Sequence, residues 1–111
     1  MKKMYLFCTN GMSTSLLAQK MQQVADKFNL DIKVKAFPHN KIGDIVANDT
    51  PDCILLGPQV KYLLEDTIEK FKEYNRPIGV IDSETYGRMD GEKALKAAVL
   101  LMKKFKQKGE E

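Results

Sequence analysis

Cys53-Ile54-Leu55-Leu56 lies between a turn at Asp49-Thr50-Pro51 and a stop at Gly57-Pro58. Four consecutive apolar residues without alternation need cover on both faces, as a central strand of a parallel sheet has between two layers of helices. The rest of the chain supplies its neighbours. Met4-Tyr5-Leu6-Phe7-Cys8 is a first apolar strand, Ile32 to Phe37 a second and partly alternating one suited to a sheet edge, and Pro77 to Ile81 a fourth that opens on proline. Between them, Leu17, Met21, Val24 and Phe28 recur at helical spacing, as do Ile42, Ile45 and Val46, with Asn40 expected to cap that short helix. Val60, Leu63, Leu64, Ile68 and Phe71 form the clearest helical stripe, and Leu95, Ala98, Val99, Met102 and Phe105 line a last helix whose other face is rich in lysine. Strand and helix alternate four times. Right-handed crossovers then give an α/β fold: one open four-stranded parallel sheet in the order 2-1-3-4, with helices on both faces.

A chain of 111 residues suits a single domain, expected over 1–105 with a frayed tail at 106–111. Its 43% hydrophobic and 30% charged residues argue against a disordered chain. The net charge of +3 is a mild lysine excess spread along the sequence, without the basic stripe of a nucleic-acid binder. The longest apolar run, Ala97 to Met102, falls far short of the roughly 20 residues a membrane-spanning helix needs. Lys2 and Lys3 precede an apolar stretch too short for an export signal, so a cytoplasmic, reducing environment is expected, with no disulfide. Cys8 at the carboxyl end of its strand and Cys53 at the amino end of the neighbouring one stand on the order of 13 Å apart along parallel strands. A disulfide tolerates about 7 Å between Cα atoms.

In sheets of this winding, ligands sit beyond the carboxyl ends of the strands where the strand order reverses, here between the first and third strands. The loop at that point is Cys8-Thr9-Asn10-Gly11-Met12-Ser13-Thr14-Ser15. It starts with a thiol, runs into a helix, and carries hydroxyls and one glycine but no charged side chain. A helix N-terminus offers unpaired N–H groups and a positive dipole end, which attract an anion and favour thiolate over thiol. A nucleophilic sulfur beside an anion pocket suggests a phosphocysteine. The plainer reading makes Cys8 a small buried hydrophobe and Ser13 the helix cap. Cys53, away from any helix start, reads as packing.

Other signatures fail. No Gly-Lys-Ser/Thr follows Gly11, so the loop is not a nucleotide P-loop, and position 11 is not the second cysteine of a Cys-x-x-Cys redox motif. His39 is the only histidine and no zinc-ligand spacing occurs, so no metal and no cofactor are expected. A cysteine phosphatase or arsenate reductase needs an arginine where this chain has Thr14. A flavodoxin-like module binding FMN would need aromatic walls, and the chain has no tryptophan. Without a guanidinium clamp or an acid/base, the loop suits holding a phosphoryl group reversibly rather than handing it to water.

Cys-x-x-Gly-Met-Ser-Thr-Ser-Leu-Leu after a first strand, with Leu55-Leu56-Gly57-Pro58-Gln59-Val60 and Tyr86-Gly87-Arg88-Met89-Asp90-Gly91-Glu92-Lys93, resembles the B component (enzyme IIB) of the phosphoenolpyruvate-dependent sugar phosphotransferase system, lactose/cellobiose/chitobiose class. Thr9-Asn10 fills a place where smaller residues are usual in that family. The resemblance implies a flavodoxin-like or low-molecular-weight phosphatase-like fold and a carrier role. Cys8 would take a phosphoryl group from a phosphohistidine on the A component. It would pass the group to a β-disaccharide of the cellobiose, chitobiose or lactose type on the membrane C component, with residues Thr9, Asn10, Gly11, Met12, Ser13, Thr14 and Ser15 cradling it. It leaves the sugar open.

Secondary candidates lie on the same sheet edge. Gln59 after the third strand and Tyr86 after the fourth are candidates to line the loop or a docking surface, and His39 after the second is read mainly as an exposed helix start. Met12 suits an apolar docking tip. Asp90 is expected to cap the last helix, and lysines 93, 96, 103, 104, 106 and 108 to form its solvated face. A monomer working through transient partners is expected.

Overall fold

The computed structural model describes residues 1–9 and 11–109, with the side chains of 12, 107 and 108 outside that description. Strands β1 (Lys2–Cys8), β2 (Ile32–Pro38), β3 (Cys53–Leu56) and β4 (Ile78–Val80) form one parallel sheet in the order β2-β1-β3-β4. Five α-helices follow the strands: α1 (Gly11–Lys27), α2 (Ile42–Asn48), α3 (Leu64–Lys70), α4 (Ser83–Gly87) and α5 (Gly91–Gly109). The backbone of α5 is thus helical into the stretch that composition alone reads as a tail.

The period of two along a strand sorts the core. Met4 and Leu6 of β1, with Cys53 and Leu55 of β3, pack with Leu17 and Met21 of α1 and with Leu95 and Ala98 of α5. Tyr5 and Phe7, with Ile54 and Leu56, face Val46, Val60 and Phe71 on the opposite side. The two central strands therefore serve two cores at once, which is why their sequences show no polar alternation. Each buried aliphatic or aromatic side chain contributes roughly 1.5–3 kcal/mol of transfer free energy. Most of the fold's cohesion therefore passes through β1 and β3. Met4 lies opposite Cys53 in the β1–β3 register, which fixes the two cysteines at opposite ends of the sheet.

Three local expectations change. Asn40 does not cap α2: a 3-10 turn over His39–Lys41 comes first, and the residue entering α2 is Lys41, with no side-chain cap. The stripe from Val60 to Phe71 is not one helix. Pro58–Leu63 is a 3-10 segment in which Val60 departs from helical dihedrals (φ −117°, ψ 24°), and only Leu64–Lys70 is α-helical. The change of pitch rotates Ile68 outward, to 46% exposure. Phe28 lies just beyond α1 and is also exposed, because the chain turns there through Asn29 at positive φ.

Candidate functional site

The sheet order reverses between β1 and β3, and β1 delivers Cys8 to the carboxyl edge at that crevice. α1 starts three positions later, at Gly11, with no acidic residue in its first turn. The first N–H groups of a helix of this length have no intrahelical acceptor, and they lie at the positive end of its dipole. Strand and helix thus bring a thiol to an anion-attracting helix start. Asn10 and the side chain of Met12 lie outside the described residues.

Cys8 and Cys53 are both buried, at 1% and 0% exposure, so burial does not distinguish them. Their surroundings do. Cys53 sits within the core cluster shared by α1 and α5, and burial, with Asp52 beside it, pushes its thiol up to about 12. Cys8 lies at the edge, where backbone from two other strand ends converges. The Gly57 amide donates to the carbonyl of Phe7 at 2.8 Å, drawing the end of β3 against the end of β1. His39 Nδ1 approaches the carbonyl oxygen of Cys8 at 3.4 Å. A groove of about 630 Å³ between α2 and α3 reaches His39, on the side of the sheet away from α1.

The four hydroxyls of the loop divide. Thr9, Ser13 and Ser15 are exposed, whereas Thr14 is fully buried and its Oγ1 lies 3.1 Å from Tyr86 Oη. Ser13 is the third residue of α1 rather than its cap. Tyr86 is itself buried, so the Thr14–Tyr86 contact ties the first turn of α1 to α4. Helix α4 is in turn capped by Asp82, whose Oδ2 accepts from the Thr85 amide at 3.1 Å. Asp90 Oδ1 accepts from the Lys93 amide at 3.0 Å and caps α5, as expected of it. The structure therefore brings Cys8, Thr14, Gln59, His39 and Tyr86 to one sheet edge, with Tyr86 serving as an internal brace.

Gly57 is the neighbour that sequence reasoning missed. A Cβ on it would lie 3.1 Å from Cys8 Cβ and 2.8 Å from Gln59 Oε1. Its signal was present: a glycine closing a fully apolar strand at the reversal of strand order. In the sequence that glycine reads equally well as a simple strand stop. Among the described residues there is no cluster of three or more His, Cys, Asp or Glu side chains able to hold a metal ion, and no helix long and apolar enough to cross a membrane.

Comparison with known proteins bears on this edge. Residues 3–97 match the family model described as the lactose/cellobiose-specific IIB subunit of the PTS system. The chain is 36% identical over 102 residues to the oligo-β-mannoside-specific EIIB component of Bacillus subtilis, covering 92% of this chain and 97% of that one. It is 38% identical over 104 residues to the galactose-specific EIIB component of Lactococcus lactis subsp. cremoris, covering 91% and 96%. Among solved structures, the cellobiose-specific phosphotransferase IIB component of Borrelia burgdorferi superposes with a TM-score of 0.69 at 29% identity, over 92% of this chain and 94% of that one. The lactose-specific IIB domain of Streptococcus pneumoniae superposes at 0.79 and 18% identity, covering 88% and 94%, a likeness of fold.

Proposed function

Given that the chain belongs to the lactose/cellobiose-specific IIB subunits of the sugar phosphotransferase system, and is a phosphotransferase of that system, we propose that Cys8 is its phosphoryl carrier and that residues 1–105 form a single phosphocysteine-transfer domain. The observation that carries the assignment is the position of Cys8: the end of β1, at the reversal of strand order, directly before the N-terminus of α1. The Cys8 thiolate attacks the phosphorus of a phosphohistidine on the A component. The S–P bond forms as the N–P bond breaks, and the imidazole leaves with the electron pair. It takes up one proton, matching the proton the thiol gave up. In the second step a hydroxyl of the sugar held by the membrane C component attacks the same phosphorus. The S–P bond breaks, and the hydroxyl proton balances the charge returned to sulfur.

Backbone amides at the start of α1 hold the phosphoryl oxygens between these steps, with the loop hydroxyls beside them. The loop from Cys8 to Ser15 carries no side chain basic enough to activate water, which suits storage over hydrolysis. The sugar is selected elsewhere. Relatives named for oligo-β-mannosides, galactose and cellobiose are 36%, 38% and 38% identical to this one small chain. The protein would work in the cytoplasm, docking in turn on the A component and on the inner face of the C component.

Incubating the chain with a phosphorylated A component of this class should add one phosphoryl group to its intact mass. Cys8→Ser should abolish the gain and Cys53→Ser should leave it, and the opposite pattern would move the carrier to Cys53.

A further inference from the structure

Gly57 has no conformational reason to be glycine. Its backbone sits at φ −66°, ψ 155°, an extended conformation open to any residue. What it provides is space. The point where its Cβ would stand is 3.1 Å from Cys8 Cβ and 2.8 Å from the carboxamide oxygen of Gln59, so the carbon bearing the thiol and the end of Gln59 both close on the face of Gly57 that a side chain would occupy. A methyl group there would crowd both neighbours. The Cys8 side is held by strand pairing and gives little, whereas Gln59 can swing away.

Gln59 leans over that face of Gly57 from the 3-10 segment Pro58–Leu63 although the residue as a whole is exposed. Among the described residues no hydrogen bond engages its carboxamide. That group is neutral, offers two N–H donors and one acceptor, and turns over about its last torsion to present either face. Beside a sulfur that carries a dianionic phosphoryl group, it can donate to a non-bridging oxygen without neutralising the charge the next acceptor must receive. It is also far too weak a base to activate water.

We propose that Gln59 is a side-chain ligand of the phosphoryl group on Cys8, and that Gly57 is the gap that lets it reach. This rests on the carrier reading above and adds, to the amides of α1, a contact from the segment that follows β3. The phosphoryl group would then be gripped from both sides of the crevice.

The test is the equilibrium of phosphoryl exchange with a stoichiometric amount of phosphorylated A component of the lactose/cellobiose class, read by intact mass. Alkylation of Cys8 by iodoacetamide serves as a check on the thiol and its surroundings. Gln59→Ala should shift the exchange about tenfold back toward the donor, the order expected for one hydrogen bond to a charged group, without slowing alkylation of Cys8. Gln59→Glu should shift it further, because a carboxylate repels the dianion. Gly57→Ala should produce a loss to which Gln59→Ala adds little. Gln59 is exposed, so its variants fold and keep the test standing even if Gly57→Ala does not. An exchange constant in Gln59→Ala within about twofold of wild type, with wild type phosphorylated on Cys8, overturns this proposal alone. Wild-type protein that gains no phosphoryl group on Cys8 overturns the carrier reading and this proposal with it.

Discussion

The two ends of the sheet are built differently. At the amino end, charge does the assembling. Lys3 Nζ and Tyr5 Oη both bond to the Asp49 carboxylate, the Lys3 amide donates to Asp52 Oδ2 at 2.7 Å, and Arg76 approaches Asp52 Oδ1 at 4.0 Å. At the carboxyl end, close approach does it. Gly57 admits Cys8 and Gln59, and the Thr14–Tyr86 hydroxyl pair joins α1 to α4. Among the described residues, those converging on Cys8 bring no carboxylate. A carboxylate beside a phosphoryl dianion would oppose its binding, so acidic side chains of the kind that tie the amino end together are kept out of contact with Cys8. The carboxylates that do stand on the carboxyl side, Asp82 and Asp90, are taken up in capping α4 and α5.

The sharpest way to break this contrast is through the two cysteines, which are equally buried. With its thiol pushed up to about 12, Cys53 holds only about one thiolate in ten thousand at pH 8. Iodoacetamide should therefore modify Cys8 in native protein and reach Cys53 only after unfolding. Peptide mapping of the alkylated chain reads this directly. Cys53 labelling at a rate matching that of Cys8 would erase the distinction between the ends.

Next in size is Gly91, which opens α5. A Cβ there would lie 2.6 Å from the backbone carbonyl carbon of Lys20 and 2.8 Å from its oxygen, so α1 and α5 meet backbone to backbone at this point. Backbone does not yield as a side-chain tip does. Gly91→Ala should cost about 1–3 kcal/mol, the range for overpacking a well-packed contact, measured by urea unfolding. Because α1 also presents the helix start at Cys8, the same variant should slow phosphoryl transfer. Loss of stability with unchanged transfer would show that α1 can shift without disturbing the site.

Much of this could be read from residues in order. The apolar run Cys53 to Leu56 shows a doubly covered strand, and the alternation of strands and helices with right-handed crossovers leads to the order 2-1-3-4 and so to Cys8. What escaped depends on contacts distant in sequence or on a change of helical pitch. The stripe from Val60 to Phe71 has helical spacing in both halves, and only the turn set up by Pro58 reveals that the halves are out of phase. Asn40 is a good cap residue by type, but the 3-10 turn in front of α2 leaves it no helix to cap. α4 is too short and too polar to show a periodicity. The meaning of Gly57 lies in its distance to Cys8, which no local pattern contains.

A smaller effect comes from Tyr86→Phe. It removes the hydroxyl that meets Thr14 and leaves a buried Thr14 Oγ1 without that partner, at a cost of about 1–2 kcal/mol. Thermal unfolding should show the loss, and Thr14→Val added to it should recover part of it, since the pair is then removed together. If Tyr86→Phe instead abolishes phosphorylation while stability holds, the hydroxyl contacts the phosphoryl group and is no brace.

The smallest effect tests the amino end by pH. Burial, then the bond to Asp49 and its charge, push Tyr5 from 10.0 up to about 12. Between those values the folded chain keeps a proton that the unfolded chain has shed, so stability falls as pH rises through them. Cys53, raised from 9.0 to about 12, adds a slope of the same sign that begins earlier. Asp49 behaves oppositely: its bonds to Lys3 and Tyr5 hold it below its ordinary 3.8, so its contribution is present above that value and is lost as pH falls through the lowered one. Tyr5→Phe should therefore flatten the melting temperature's decline above pH 10 while leaving the earlier part due to Cys53, and Cys53→Ser should do the reverse. Asp49→Asn should flatten the acid side. All three variants should accept a phosphoryl group at the wild-type rate near neutral pH, because the charges they alter stand a strand's length from Cys8. A transfer defect in Asp49→Asn would mean that the two ends of the sheet are electrostatically joined, and the separation that organises this molecule would not hold.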